Sequence, residues 1–386
     1  MPLQEQLVSF FMNAKQVHLA SLVSYKIFPP VMGGQRAVAL YCKYIARHVR
    51  FMIITTSNND PAAADGYEVL PVWNNSPLRY INLFKFFTIR SVIRRQQITH
   101  LQLEHPYFGW LGLLLKWFTG VRLVVRSHNI EGLRWKMMGK WWWKILWQYE
   151  KYVHRQADYN FFITDDDRRY AIEHFKLQPQ RCLLITYGIE WNTPPAANEK
   201  EAARKILLSK HAIPADHCIL LFNGAFNYKP NLDALERIIN EVYPALQKNS
   251  SFTYTILICG KDIPPAISKL NLPNFIIAGF VDDITTYLKG ADIFLNPITE
   301  GGGIKTKLVE ALGYNMSAVS TSHGAIGIDA AICNGKLQIT DNISTDFAEK
   351  IIQLAAYKAN IPPAFFDEFY WDNIAQKAAR FIEDLI

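Results

Sequence analysis

Cysteine is scarce. The 386 residues contain five, Cys42, Cys182, Cys218, Cys259 and Cys333. The number is odd and no C-x-x-C pair occurs, which argues against a disulfide framework and against a zinc knuckle. The simplest account is a reducing compartment in which most thiols are buried as small apolar groups. Long apolar runs are missing too. No stretch approaches the roughly 18 uninterrupted apolar residues of a membrane-crossing helix. The opening residues Met1 to Gln6 show no basic leader, apolar core and small-residue cleavage site, so no signal peptide is expected. With 20 Gly and 19 Pro, the chain lacks the excess that marks collagen-like or low-complexity sequences. Half of the residues are apolar and 19% are charged, which excludes a disordered chain. The length fits two domains.

Negative charge is scarce in one half only. Residues 1–190 carry 24 Lys+Arg against 13 Asp+Glu, and residues 191–386 carry 17 against 21. The net charge of +7 therefore joins a basic half to a mildly acidic one. Opposite signs suggest two domains with different partners. A basic half implies an anionic partner: phosphate, nucleic acid or an acidic lipid surface. No nucleic-acid recognition motif accompanies the charge, so nucleic acid is not expected.

Strand-like runs alternate with helical patterns. Val17–Val23 leads to a helical stretch from Ala37 to Arg47, with further strand candidates at Phe51–Thr56, His100–Leu103 and Arg122–Arg126. The alternation restarts after about residue 205 with Cys218–Phe222 and continues through a strand at Ala291–Leu295 and a helix at Ile304–Gly313. This pattern implies parallel sheets wrapped on both faces. Trp191–Lys200, with its Thr-Pro-Pro run, is the best linker candidate. The expectation is an α/β chain with domains at 1–190 and 191–365 and a terminal helix at 366–386. Tyr370, Trp371, Ile374, Ala378, Phe381 and Ile382 recur there at helical spacing.

Several segments bear chemistry. Gly33-Gly34 lies between a strand and a helix, where backbone N–H groups can approach a phosphate; two glycines alone are a sparse signal. Glu300-Gly301-Gly302-Gly303-Ile304 follows a strand and opens a helix, which again suits an anion. It is neither a P-loop nor a dinucleotide fingerprint. Lys307 and Glu310 share a face of that helix, as an exposed ion pair also would. Arg126-Ser127-His128-Asn129-Ile130-Glu131 ends a strand, at the edge where open α/β sheets bind ligands. His128 is either a site residue or a structural histidine. Thr164-Asp165-Asp166-Asp167 reads as a helix cap with acids in the first turn rather than as a metal site, and Asp282-Asp283 reads the same way. No metal site is expected.

Aromatic and basic residues cluster. Seven of the ten tryptophans lie between Trp110 and Trp147, interleaved with Lys136, Lys140 and Lys144. Phe84 to Arg95 mixes Phe84, Phe86, Phe87 and Ile93 with Lys85, Arg90, Arg94 and Arg95. One reading is a membrane interface. The other is a core helix with a basic solvent face, since Trp135, Met138, Trp142, Ile145 and Tyr149 recur at helical spacing.

In this order, these pieces resemble a retaining nucleotide-sugar glycosyltransferase of the GT-B fold, glycosyltransferase family 4, from about residue 17 to the end. The carrying segments are Pro29–Gly34, Arg126–Glu131, the hinge Tyr187-Gly188-Ile189-Glu190, Asn223–Asn231, Asp292–Ala311 and Ser320–Ala325. The resemblance implies two Rossmann-like domains facing across a cleft, the first binding the acceptor and the second the nucleotide sugar, with the terminal helix packing back on the first. It implies a donor diphosphate approached by Gly33 and Gly34, neutralised by Lys307 and Lys229, and met by N–H donors at Gly303 and Ile304. Glu310 would take the ribose hydroxyls, Val281 and its neighbours would face the base, and His128 would contact the transferred sugar. His128, Lys307 and Glu310 are thus the implied catalytic set, with no obligatory cofactor or metal. The implied acceptor is a glycan or a lipid-linked glycan, and the implied place is cytoplasmic, peripheral on the inner face of an anionic membrane. The family's Glu eight residues before the helix Glu is Gly302 here. That departure leaves open a nucleotide-sugar-binding protein with impaired catalysis, beside a transferase for a soluble acceptor.

Overall fold

The alternation becomes two parallel sheets. The structure, a computed structural model, describes residues 17–30 and 33–383; Val31 and Met32 of the Pro-Pro-x-x-Gly-Gly segment lie outside the described residues. The described residues up to Thr186, with the helix Trp371–Glu383, form one compact unit, and Tyr187–Tyr370 form another. The chain thus passes between units at Thr186–Tyr187 and Tyr370–Trp371, whereas the linker and helix signals of the sequence placed the bounds at 190 and 365.

The first unit holds β1 (His18–Leu22), β2 (Arg50–Thr56), β3 (Glu68–Trp73), β4 (His100–Glu104), β5 (Arg122–Ser127), β6 (Tyr159–Phe162) and β7 (Cys182–Leu184) in the order β3-β2-β1-β4-β5-β6-β7. Every pairing is parallel. β1 and β4 are buried along their whole length, as strands covered on both faces must be. The strand order reverses at β1 and β4. Chain connections leave in opposite directions there, so a crevice opens outside the carboxyl ends. The helix Trp371–Glu383 packs on the helix Gly33–Ile45, with Trp371, Ile374, Ala378 and Ile382 buried and His48 Nε2 bonded 3.1 Å from Asp372. It therefore packs back on the first domain as the resemblance implied. It starts only at Trp371, because Tyr370 is extended and bridges to Ile189, which separates it from the helix Pro363–Phe369.

The second unit holds β8 (Cys218–Ala225), β9 (Tyr254–Lys261), β10 (Phe275–Gly279), β11 (Ile293–Asn296), β12 (Ser317–Ser320) and β13 (Leu337–Ile339), all parallel, in the order β10-β9-β8-β11-β12-β13. Here the reversal falls between β8 and β11. Thr164 and Asp283 cap their helices, Thr164 Oγ1 accepting from Asp167 N at 3.2 Å and Asp283 Oδ1 from Thr285 N at 2.9 Å. The acidic runs are caps, as the sequence indicates.

The aromatic region departs from its apparent periodicity. Gly139 takes φ +70°, so the helix Glu131–Met137 ends and a new one runs Trp143–Gln156. Continuous helical spacing from Trp135 to Tyr149 fails at that break. Met138 and Ile145 are exposed, Ile145 by 67%, and Trp141 by 84%. In the helix Phe84–Gln96, Ile93 is buried and Phe86 packs against the core, while Phe84 is 83% exposed. Among the described residues, no helix is long and apolar enough to cross a membrane.

Candidate active site

In the second unit the carboxyl ends of β8 and β11 converge at the reversal. β8 ends in Asn223-Gly224-Ala225, and a short turn leads to the helix Lys229–Arg237. β11 passes through the glycine run to the helix Thr306–Gly313. Lys307, in the first turn of that helix, reaches back over the end of β8. Its Nζ donates to Asn231 Oδ1 at 3.1 Å, and Asn231 Nδ2 is tied to the Ala225 carbonyl at 2.8 Å. A Cβ on Gly224 would stand 3.0 Å from that Nζ, so glycine at 224 is what lets the ammonium come so close. Burial pulls Lys307 down to about 8, with Glu310 opposing the shift. Glu310 lies one turn further on and accepts from the Tyr187 hydroxyl at 2.9 Å. The two residues are therefore not merely an exposed surface pair: each is fixed by a neighbour from another element.

The glycine run is folded by its own lysine. Lys305 Nζ donates to the Gly301 carbonyl at 2.7 Å and to the Gly303 carbonyl at 2.9 Å, and His323 Nε2 donates to the Gly301 carbonyl at 2.7 Å. Burial lowers Lys305 to about 8. Gly301 has φ +91°, and a Cβ there would meet the Tyr228 hydroxyl at 2.7 Å. The helix begins at Thr306, with extended Lys305 as its N-cap. Gly303 and Ile304 consequently lie in the turn before the helix and not at its N-terminus, since the φ of +71° at Gly303 is not helical. Lys229 is exposed and paired with Asp233 four residues on. The depression of about 360 Å³ beside it is lined by Asp233, Glu236, Glu241 and Glu300 as well as Arg237, which is not phosphate-binding chemistry. β10 ends at Gly279, Phe280 carries Lys261 Nζ over its ring at 4.4 Å, and Val281 is half-buried beyond it.

In the first unit the ends of β4 and β5 hold a charged network. Glu104, wholly buried, accepts from Arg126 Nη1 at 2.9 Å, His128 Nε2 at 2.8 Å and Gln102 Nε2 at 2.6 Å. Burial would push its carboxyl up, but Arg126 and His128 outweigh this and hold it at about 2. Burial, with His105 beside it, brings His128 down to about 4, so the imidazole is neutral at pH 7. The loop after β5 is pinned from behind: Glu150, buried, accepts from the backbone N–H of Glu131 and Gly132, both at 2.9 Å. Gly33 and Gly34 are the first residues of the helix Gly33–Ile45, which has no acid in its first turn. Among the described residues a Cβ built on either meets nothing within 4 Å, so the place of a side chain is open space there.

Two family models match this chain. One, described as glycosyl transferases group 1, matches residues 217–356, and the other, glycosyltransferase family 4, matches residues 31–191. Together they take in most of both units. The chain carries a family 4 domain followed by a group 1 domain. An uncharacterized 44.6 kDa protein in the cps region of Klebsiella pneumoniae is 28% identical over 161 residues, which is 40% of this chain and 41% of that protein. Among solved structures, Anabaena HepE in complex with UDP-glucose superposes with a TM-score of 0.64 at 13% identity, covering 95% of this chain and 99% of that one. WaaG, a glycosyltransferase involved in lipopolysaccharide biosynthesis, gives 0.58 at 16%, covering 94% and 95%. At such identities the likeness is one of fold, the GT-B arrangement of two Rossmann-like domains.

Sequence reasoning missed Asn231, Lys305 and Tyr187 as partners of the second-unit groups, and Glu104 and His105 in the first. A signal for Glu104 existed. In His100-Leu101-Gln102-Leu103-Glu104 the polar residues alternate in a strand whose two faces are both buried, and buried polar groups require partners.

Proposed function

We propose that this chain transfers a sugar from a nucleotide diphosphate sugar to a glycan or lipid-linked acceptor, with retention at the anomeric carbon. The observation that carries the reading is Lys307, a half-buried ammonium held over the end of β8 at the strand-order reversal. A preorganised cation there stabilises the negative charge that develops on a leaving diphosphate. Lys305 keeps the glycine loop folded around it, Gly303 and Ile304 offer backbone beside it, and Lys229 stands at the rim. Glu310, steadied by Tyr187, takes the ribose hydroxyls, and Phe280-Val281 faces the base. In the first unit Gly33 and Gly34, with no side chain to bar an approach, take part in binding the diphosphate, and His128 contacts the transferred sugar. The solved HepE complex supports UDP as the first nucleotide to try.

The acceptor reading rests on surface charge. Between Glu68 and Asp158 the only carboxylates are Glu104, Glu131 and Glu150, all buried. The surface of residues 69–157 thus shows basic charge alone, beside exposed Phe84, Phe87, Trp117, Trp141 and Met137. A single-signed, aromatic-studded face suits the inner, anionic leaflet of a membrane and a lipid-linked acceptor. Thermal shift with UDP-, GDP- and ADP-sugars tests the donor: stabilisation follows mass action and is expected for one nucleotide only. Turnover of the radiolabelled donor that stabilises the protein separates a transferase from a binding protein, the alternative that Gly302 raises. Binding without turnover would decide for the latter.

A further inference from the structure

The crevice at β1, β4 and β5 holds more than His128. His105, the residue after β4, takes φ +70° and ψ 156°, a conformation that non-glycine residues rarely adopt and that clusters at functional sites. Its ring stacks on the His128 ring, centroids 4.2 Å apart. Its Nδ1 lies 3.1 Å from Glu131 Oε1, while Glu131 Oε2 accepts from the Tyr107 hydroxyl at 2.6 Å and from Arg134 Nη1 at 3.4 Å. Two buried carboxylates therefore each engage one nitrogen of one imidazole: Glu104 takes His128 Nε2, and Glu131 takes His105 Nδ1. An ionised carboxylate only accepts. In a neutral ring the engaged nitrogen must then carry the proton, and the other nitrogen keeps its lone pair. The remaining nitrogens are His128 Nδ1 and His105 Nε2. Among the described residues the latter has only the Tyr25 hydroxyl, at 3.4 Å, beyond good hydrogen-bond distance.

We propose that His105 joins His128 as a second sugar-contacting imidazole, with Glu131 and Glu104 as positioning residues that fix both tautomers so that His105 Nε2 and His128 Nδ1 accept hydrogen bonds from hydroxyls of the transferred sugar. This rests on the glycosyltransferase reading above and extends it to residues outside the implied set. Chemically, the pair selects a ligand rich in donor hydroxyls and rejects one that only accepts.

Two measurements test it. Nitrogen-15 NMR of the histidine-labelled full chain at pH 7 reads the tautomers. The expected result is a proton on Nε2 of His128 and on Nδ1 of His105; the opposite tautomer on either ring overturns the proposal. The second is the sugar's own share of affinity: the ratio of Kd for the nucleotide selected by thermal shift to Kd for its glucose, galactose or N-acetylglucosamine conjugate. His105→Gly suits the positive φ and removes only the ring. It should shrink that ratio about tenfold with the nucleotide's own Kd unchanged. Glu131→Gln, which can donate to Nδ1 and reverse the tautomer, should act the same way, and Glu131→Asp should restore part of the loss. A ratio unchanged in His105→Gly overturns the proposal whatever the effect on Tm. Failure of every nucleotide to bind would instead count against the donor reading, and the tautomers would still decide the geometry.

Discussion

The two sheets share a strand order up to their reversal, β3-β2-β1-β4 and β10-β9-β8-β11, yet opposite chemistry stands at their carboxyl ends. In the first unit each guanidinium near His128 meets a carboxylate, Arg126 with Glu104 and Arg134 with Glu131, and the rings of His128 and His105 lie against the same two carboxylates. In the second, Lys305 and Lys307 are partly buried against carbonyl and amide oxygens, and burial lowers both to about 8. The bulk charge runs the other way, since the first half is basic and the second acidic. Net charge therefore describes the outer surface of each unit and not its site. A compensated network suits neutral hydroxyls, and cations short of carboxylates suit a diphosphate.

That contrast can be broken experimentally. Lys307→Ala is expected to have the largest effect, lowering kcat/KM by about 10²–10³-fold, the usual result of removing one group that stabilises developing charge; a change within threefold would mean that the second unit does not hold the leaving group. The same lysines give a pH signature. Donor affinity should be flat below pH 8 and fall above it as Lys305 and Lys307 lose their protons, measured by calorimetric titration of UDP between pH 6 and 10. Next comes Glu310→Ala, expected to weaken nucleotide binding by about 1.5–3 kcal/mol through loss of a charged acceptor. Equal affinity for the variant and the parent chain would remove Glu310 from the ribose.

The surface half of the contrast predicts a smaller effect. Arg94 and Arg95 are exposed at the end of the helix Phe84–Gln96, and each basic group near an anionic bilayer contributes about 1 kcal/mol. Replacing both by Glu should weaken sedimentation with anionic vesicles by at least about 30-fold, with salt acting in the same direction. Indifference of the parent chain to anionic and neutral vesicles alike at low salt would assign the basic surface to a soluble acceptor. Smallest are the helix caps, one in each unit. Thr164→Ala and Asp283→Ala should each cost about 1 kcal/mol, read as a lower Tm with the nucleotide Kd unchanged.

Local pattern determined much by itself. The strand–helix alternation, the restart near residue 205, the caps at Thr164 and Asp283, and the placing of Lys307, Glu310 and His128 at strand exits all follow from period, turn chemistry and the rule that open sheets bind at their carboxyl ends. Tertiary structure decided the rest. Ile93 and Phe86 face the core while Phe84 does not, because the neighbouring helices, not the sequence of the segment, choose the buried side. The helix after the glycine run starts at Thr306, because Lys305 draws the Gly301 and Gly303 carbonyls together. Glu104 stands 24 positions from His128 and Glu131 26 from His105, distances over which one-dimensional spacing has no meaning. Parallel pairing of β4 with β5 sets Glu104 opposite Arg126. With water excluded there, the cost of burying a charge can be met only by the partner that the sheet register supplies.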